Sequence, residues 1–189
     1  TGDNNVAVGF KALSTEDANS FNTALGYRAL KTLNAGADSY NTAIGADAGL
    51  SITTGLYNNL IGGLAGDAIT TGDENIAIGI NSLTAETAGN KSVAIGGGTL
   101  AAQNSSTDTD MLNVAVGYHA GVAVTTGINN TLIGALAGDA LTDADLNVAV
   151  GKGALTSDTL GSKQHPHRWI SRRCNYNWKL QCYSRSQSR

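Results

Sequence analysis

Few side chains of this sequence could carry out acid–base or nucleophilic chemistry. Catalysis needs an acid, a base or a nucleophile that converge on one point, yet His119 is the sole histidine of residues 1–162. His119 follows Tyr118, and the residues at its position in the repeat described below have unrelated side chains, as is typical of a variable surface position. The sequence therefore predicts no catalytic residue, and we expect that the protein is not an enzyme.

Four residues near the end of the chain have the side chains of zinc ligands. They are His165, His167, Cys174 and Cys182, and their spacing matches no established zinc motif. Because these are the only cysteines, residues 1–157 cannot depend on disulfides or on thiolate ligands. We predict no zinc site.

Two acidic pairs and one glycine run could bind ions. The pairs Asp108/Asp110 and Asp143/Asp145 offer the oxygen ligands that calcium prefers, although acidic pairs in loops are more often only solvated. Gly96–Gly98 could line a phosphate-binding loop, but no Lys-Ser or Lys-Thr follows it. The sequence therefore predicts no cofactor and no metal, with calcium binding at the acidic pairs as the alternative.

The charges divide the sequence into two parts. Residues 1–162 contain all 15 acidic residues and five basic ones, a net charge of −10, whereas residues 163–189 contain seven basic residues and no acidic one. An acidic body is not expected to bind nucleic acid or an anionic membrane. No apolar run approaches the length of a membrane span, so we predict no direct membrane insertion by this segment.

A repeat dominates the sequence and must position all of these residues. The unit (Asn/Ser)-x-(Ala/Leu)-(Val/Ile/Leu)-Gly recurs nine times, at intervals of 17, 19, 17, 17, 17, 21, 17 and 17 residues. Its final glycines are Gly9, Gly26, Gly45, Gly62, Gly79, Gly96, Gly117, Gly134 and Gly151. We call each unit a rung and number the rungs one to nine after these glycines.

The pattern within a rung predicts the fold class. The residue before each repeat glycine is always aliphatic, its predecessor is Ala or Leu, and a small residue follows three positions after the glycine. Alternation of this kind predicts strands whose two faces are both buried. We therefore predict an all-β parallel β-solenoid over residues 1–157, with about nine 17-residue rungs, two short strands in each rung, and stacked columns of Ile/Val, Ala and Asn.

The repeats resemble a known family of surface proteins. Ser92–Gly96 (SVAIG), after Lys91, is close to the signature of the YadA-like head repeats of trimeric autotransporter adhesins, and the resemblance covers residues 1 to about 157. Similar repeats occur in phage and virus tail-fibre proteins. The 17-residue unit is longer than the usual adhesin rung.

The resemblance implies a left-handed parallel β-roll in which three chains pack around one axis. It also implies an extracellular location, on a bacterial cell surface with an outer-membrane-anchored parent or in a virion tail fibre. The expected partners are two further copies of the chain and a host-surface protein, matrix or glycan receptor.

One rung offers a candidate receptor contact. Residues 101–112 enlarge it to 21 residues, and insertions in solenoids form surface loops that often carry recognition. The predicted contact residues are Asn104, Ser105, Ser106, Asp108 and Asp110.

The repeat stops before the last segment, residues 158–189, which is basic and contains Trp169, Trp178 and the only proline, Pro166. Codons for residues 174–182, read one base later, must encode Ala or Val, three residues of Thr or Ile, and an obligatory Gly. This peptide is compatible with another repeat unit. We predict that the segment is a frameshifted translation, with a disordered basic extension as the alternative.

Two other functions compete with the adhesive fibre. A single-chain solenoid could bind ice through a flat array of threonines, but Thr23, Thr42 and Thr131 share their position with valine or isoleucine in other rungs. A carbohydrate-cleaving solenoid would require acids clustered along one groove and more aromatic residues. We expect a structural and adhesive segment of an extracellular trimeric fibre.

Overall fold

The protein forms a β-solenoid, which confirms the predicted fold class. The structure is a computed structural model, which describes residues 2–15, 20–157 and 159. These residues form parallel strands and contain no helix. The strands of the main sheet are β1 Val6–Val8, β2 Thr23–Leu25, β3 Thr42–Ile44, β4 Asn59–Ile61, β5 Ile76–Ile78, β7 Val93–Ile95, β9 Val114–Val116, β10 Thr131–Ile133 and β11 Val148–Val150. Two further strands, β6 Gly89–Asn90 and β8 Thr109–Asp110, pair with each other.

The nine strands of the main sheet stack in chain order without a crossover and bound eight successive turns. Each strand pairs with the next at the same position of the repeat: Ala7 pairs with Ala24, Ala24 with Ala43, and Leu132 with Ala149. The insertion does not disturb this register, since Ala94 of β7 pairs with Ala115 of β9. The repeat in the sequence is therefore a repeat in space.

The core is a thin stack of small and branched side chains. The middle residue of β2 through β11 in the main sheet points inward and is buried. The small residue three positions after the glycine is also buried, for example Ala48 and Ala65. Larger residues seven positions after the glycine, such as Ile52 and Ile69, fill the opposite side of the core. The predicted second tight layer is thus present.

Two predicted details of the rung are wrong. Within the described residues each rung has one three-residue strand instead of two, and the remainder is a series of turns apart from β6 and β8. The strand face formed by residues such as Val8, Leu25 and Ile133 is also exposed, at 55%, 44% and 40%. The described part of the chain folds back over the inner face only, and none of its residues covers the outer face.

The repeat glycines are required by the close stacking of the rungs. Gly45 has φ of +137°, and a Cβ atom there would lie 2.5 Å from the carbonyl oxygen of Gly62 on the next rung. Residues two and four positions after the glycine, such as Arg28 and Leu30, also have positive φ, at 52° and 48°. These left-handed residues turn the chain sharply enough to close a rung of 17 residues.

A buried asparagine column connects the rungs. The Asn58 backbone N–H donates to Asn41 Oδ1 at 2.9 Å, and the Asn75 N–H donates to Asn58 Oδ1 at 3.0 Å. The Asn58 side-chain amide donates to the Gly72 carbonyl at 2.8 Å. The predicted Asn column therefore satisfies backbone groups that no strand pairing reaches.

Candidate functional site

The 21-residue rung and the rung before it have a buried polar side chain where the regular rungs have an aliphatic one. Glu86 and Gln103 occupy the position seven residues after the repeat glycine, which is aliphatic in rungs two, three, four, seven and eight, for example at Ile52, Ile69 and Val124. Both polar side chains are fully buried. The inner column formed by the residues seven positions after the glycine is therefore interrupted on two adjacent rungs, where the insertion leaves the solenoid.

The Glu86 carboxylate holds the backbone on both sides of this interruption. Its Oε1 accepts hydrogen bonds from the N–H groups of Thr87 at 2.9 Å, Gly89 at 2.8 Å and Ser105 at 3.0 Å. Its Oε2 accepts one from Gln103 Nε2 at 2.8 Å. Glu86 is thus an anchor for the first part of the inserted segment.

Gln103 bridges the asparagine column at the rung where the repeat has a serine in place of the asparagine. Ser92 stands at the asparagine position, and its N–H still donates to Asn75 Oδ1 at 3.0 Å. Gln103 Nε2 donates to Ser92 Oγ at 2.9 Å, and Gln103 Oε1 accepts from Asn113 Nδ2 at 2.9 Å. One long side chain therefore links the column below the insertion to the column above it.

The predicted receptor-contact residues are divided by the structure. Ser105 is buried, at 8% exposure, and its hydroxyl donates to the Thr107 carbonyl at 2.7 Å. The other four, Asn104, Ser106, Asp108 and Asp110, are exposed. Ser105 fixes the loop, and the four exposed residues form its accessible surface.

The acidic residues of this loop have partners on the preceding rung. Lys91 Nζ lies 2.7 Å from Asp110 Oδ2, and Asn90 Nδ2 donates to Asp108 Oδ1 at 2.5 Å. The hydrogen bond with Lys91 lowers the pKa of Asp110, and the same bond raises the pKa of Lys91. The pair closes the loop against β6 and leaves Asp110 ionised.

Asp73 lies on the same edge of the solenoid, one rung before Asn90. Its Oδ1 accepts the Leu56 N–H at 2.7 Å. Burial raises the pKa of Asp73, and the charges of Asp108 and Glu74 act in the same direction, against the lowering effect of the Leu56 bond. Negative charge therefore accumulates along this edge.

The second acidic pair has a structural contact as well. Asp145 Oδ1 accepts the Ile128 N–H at 2.9 Å, which is the same contact that Asp73 makes with Leu56, and Asp143 is exposed. Among the described residues, no group of three or more His, Cys, Asp or Glu side chains could hold a metal ion.

His119 packs as an ordinary surface side chain. Its ring stacks on Tyr118 with 4.0 Å between centroids, and a Cβ atom on Gly98 of the preceding rung would collide with the imidazole. A larger residue at Gly98 would have to displace the His119 ring, and Gly96 belongs to the stacked glycine column. The four zinc-type residues, His165, His167, Cys174 and Cys182, lie outside the described residues.

The outer face of the main sheet is a continuous apolar feature of the described surface. The residue before each repeat glycine points outward and forms an uninterrupted aliphatic column. Its members are Val8, Leu25, Ile44, Ile61, Ile78, Ile95, Val116, Ile133 and Val150. Ile44, Ile78 and Val116 are partly covered, and the other six are exposed.

Exposed aromatic rings border this face. Phe21 and Tyr40 stack with 4.9 Å between centroids and an interplanar angle of 3°, and Tyr57 continues the stack at 5.7 Å from Tyr40. On the other border Phe10 stacks on Tyr27 at 5.6 Å. Both stacks run along the solenoid axis, so the rings cover one another and turn their edges outward.

A threonine column was missed in the sequence because it lies outside the strands, eight residues after the repeat glycine. Each hydroxyl donates to a carbonyl of the next rung: Thr53 to Thr70 at 3.2 Å, Thr70 to Thr87 at 3.0 Å, and Thr125 to Thr142 at 3.2 Å. Alignment of the rungs on their glycines would have shown this column, and also the polar substitutions at Glu86 and Gln103.

Comparison with known proteins identifies no relative: no family model, curated protein or solved structure matches this chain. In the described part of the chain no helix is long and apolar enough to cross a membrane.

Proposed function

We propose that this chain is a structural and adhesive segment of an extracellular homotrimeric fibre, on a bacterial surface or in a virion tail fibre. The observation that supports this most is the outward-facing aliphatic column, which continues through all nine rungs. The resemblance of the repeats to trimeric adhesin heads gives the number of copies and the left-handed coil.

The aliphatic column needs a covering partner. Rungs spaced about 4.8 Å apart give an apolar stripe roughly 40 Å long, and monomeric proteins rarely expose continuous apolar surface on this scale. Every rung contributes a branched side chain at this position, as expected when a regular surface packs against another regular surface. Further copies of the same chain supply such a surface.

Attachment would depend on exposed residues of the inserted loop and not on the aliphatic column. The exposed side chains of Asn104, Ser106, Asp108 and Asp110 form a loop with a rigid base, because Glu86 and Gln103 hold it from inside the core. Three copies of this loop on one fibre would strengthen a weak contact through multivalency. A host-surface protein, matrix component or glycan is the proposed receptor.

The ice-binding alternative receives less support. The threonine column that could have served it uses its hydroxyls within the solenoid, as in the bonds from Thr53 and Thr70 to the next rung. In the strands, Thr23 and Thr42 share their column with Val93 and Val114.

The oligomeric state tests the proposal directly. Light scattering after size exclusion of the full 189-residue chain should give three times the chain mass of 19.3 kDa, with a β-rich circular dichroism spectrum. A folded monomer would overturn the fibre and leave the single-chain alternative.

A matched pair of variants locates the contact. Ile61→Lys places a charge in the aliphatic column, whereas Ser106→Lys places the same charge on the exposed loop. Ile61→Lys should give a folded monomer and Ser106→Lys a trimer. In a binding screen against matrix proteins and glycans, replacement of Asn104, Ser106 and Asp108 by alanine should remove binding without changing the mass.

A further inference from the structure

Two rims border the outer sheet face, and their side chains differ in size from rung to rung. The leading rim consists of the residues five positions before each repeat glycine: Asn4, Phe21, Tyr40, Tyr57, Glu74, Lys91, Leu112, Asn129 and Leu146. The trailing rim consists of the residues directly after each glycine: Phe10, Tyr27, Ala46, Gly63, Ile80, Gly97, Tyr118, Ala135 and Lys152. Both rims point outward with the aliphatic column between them.

The sizes on the two rims are complementary in rungs three and four, whereas rung two has a ring on both rims, Phe21 and Tyr27. Rung three pairs Tyr40 with Ala46, and rung four pairs Tyr57 with Gly63. Among the described residues, a Cβ atom on Gly63 would find only the carbonyl oxygen of Ala46 within 4 Å, at 3.9 Å, so the surface beside it is open. Each large ring of these rungs thus has a depression at its own height, on the opposite rim.

The ring geometry favours a protein surface as the partner of these rims. Sugars stack on the open faces of aromatic rings, but Tyr40 is stacked between Phe21 and Tyr57, so its faces are occupied. The exposed ring edges form a ridge about one ring wide, which fits a groove in another apolar surface.

We propose that the three copies pack head to tail, with the leading rim of one copy against the trailing rim of the next. This inference rests on the proposed homotrimer. A threefold axis parallel to the solenoid brings equal rungs to equal heights, so Tyr57 of one copy meets Gly63 of its neighbour and Tyr40 meets Ala46. These two contacts are a pair of knobs and holes that fixes the register of the copies along the axis.

The area of the face is sufficient for such an assembly. Nine rungs about 4.8 Å apart, and six residues of about 3.3 Å between the rims, give roughly 800 Å² per copy. Two neighbouring copies share this face in a trimer, so each copy buries roughly 800 Å² in total, the amount that one partner contributes to a pairwise interface of standard size.

A hole-filling variant with a second-site rescue tests the pairing. Gly63→Phe in the full chain fills the hole at a position with open space and ordinary φ, so each solenoid should keep its fold. We expect dissociation of the trimer at concentrations at least about 10-fold higher than for the unmodified chain. Adding Tyr57→Ala should restore the trimer, and Thr126→Phe, at an exposed turn outside the outer face, should change nothing.

Cysteine cross-linking gives an independent readout that does not depend on tolerance of a bulky side chain. Tyr57→Cys with Gly63→Cys, in a chain with Cys174→Ser and Cys182→Ser, should form a covalent trimer with copper–phenanthroline as oxidant. Either cysteine alone should give none. The two positions on one chain are about 20 Å apart along the strand direction, too far for an internal disulfide.

The outcomes separate this inference from the proposed function. A monomeric unmodified chain would overturn the trimer itself. A trimer that tolerates Gly63→Phe, or that forms no cross-link with both cysteines, would leave the fibre in place and overturn the head-to-tail pairing. Failure of Tyr57→Ala to rescue would overturn it as well.

Discussion

The regular rungs and the two rungs at the insertion fill the same buried position with different side chains. In rungs three and four the position seven residues after the glycine is Ile52 or Ile69, and in the next two rungs it is Glu86 or Gln103. The backbone register of the main sheet is identical in both regions. What differs is the chemistry that holds the turns.

The difference shows how a solenoid tolerates an insertion. A regular rung needs only an aliphatic side chain there, because each turn bonds to the same turn of the next rung. The longer rung breaks this correspondence, and the Glu86 carboxylate accepts the N–H groups of Gly89 and Ser105 that the repeat would otherwise leave unpaired. A buried polar group is stable in such a place because its bonds are complete.

The largest effect is expected at the glycine column, which both regions share. A Cβ atom at Gly62 or Gly96 would lie 2.6 Å from a backbone atom of the next rung, so alanine must push two rungs apart. We expect each substitution to lower the free energy of unfolding by more than about 4 kcal/mol, measured by urea denaturation.

Gly151→Ala is the matched control for these two variants. It has a similar φ of +119°, but a Cβ atom there meets nothing within 4 Å in the part of the chain that the structure describes. Alanine at Gly151 should cost only the backbone strain, about 1–2 kcal/mol. Equal losses at Gly62 and Gly151 would show that strain dominates and that contact between rungs does not.

The next effect concerns the polar core. Glu86→Ala removes the acceptor of four donors, among them the buried N–H groups of Gly89 and Ser105, and should lower the free energy of unfolding by about 3–5 kcal/mol. Ile69→Ala, the same position in a regular rung, should cost about 2–4 kcal/mol through its cavity. Only Glu86→Ala should also speed amide hydrogen exchange at residues 104–110; equal exchange in both variants would contradict the anchor.

The asparagine column gives a smaller effect that separates the two regions again. Asn58→Ala leaves the Asn75 N–H and the Gly72 carbonyl without their partners, and we expect a loss of about 2–3 kcal/mol by urea denaturation. Ser92→Asn restores the repeat in sequence but competes with the Gln103 side chain, which already bonds to Ser92 Oγ. A stabilised Ser92→Asn variant would contradict the bridging role of Gln103.

The fold could be predicted from the sequence because each rung places its glycine and its inward-facing residue at the same positions. The glycine spacing gives the rung length, and the alternation around Ala24 or Ala43 gives the inward face. The exposure of the outer face could not be predicted, because a partner's surface and the chain's own core select the same aliphatic residues. The strand count was wrong because three-residue strands leave the remaining residues to left-handed turns such as that at Arg28, which no sequence pattern distinguishes from a strand.

The candidate site was predicted in position but not in structure. The 21-residue interval marks the insertion, so Asn104, Ser106, Asp108 and Asp110 could be named from the sequence, and they are exposed. Burial of Ser105 could not be foreseen, because it depends on Glu86, 19 residues earlier. Such a contact follows from the stacking of two rungs and not from the spacing within one.

The smallest expected effect is a pH dependence on the edge that carries the inserted loop. Burial raises the pKa of Asp73 above its ordinary 3.8, so the folded chain binds a proton more tightly there than the unfolded chain, and stability falls as pH rises through the window just above 3.8. Asp73→Asn keeps the acceptor for the Leu56 N–H and removes the charge. The variant should be more stable near neutral pH, by less than about 1 kcal/mol, and its stability should decline less between about pH 4 and about pH 7.

Asp47→Asn is the control with the opposite sign. The hydrogen bond from Arg28 lowers the pKa of Asp47, so its contribution is present above 3.8 and is lost as pH falls through the lowered value. Asp47→Asn should therefore be less stable than the unmodified chain near neutral pH and equal to it in strong acid, with urea midpoints as the measurement. If both variants shift in the same direction, the acidic edge beside the inserted loop does not differ electrostatically from the ion pair on the regular rungs, and the contrast between the two regions is confined to their cores.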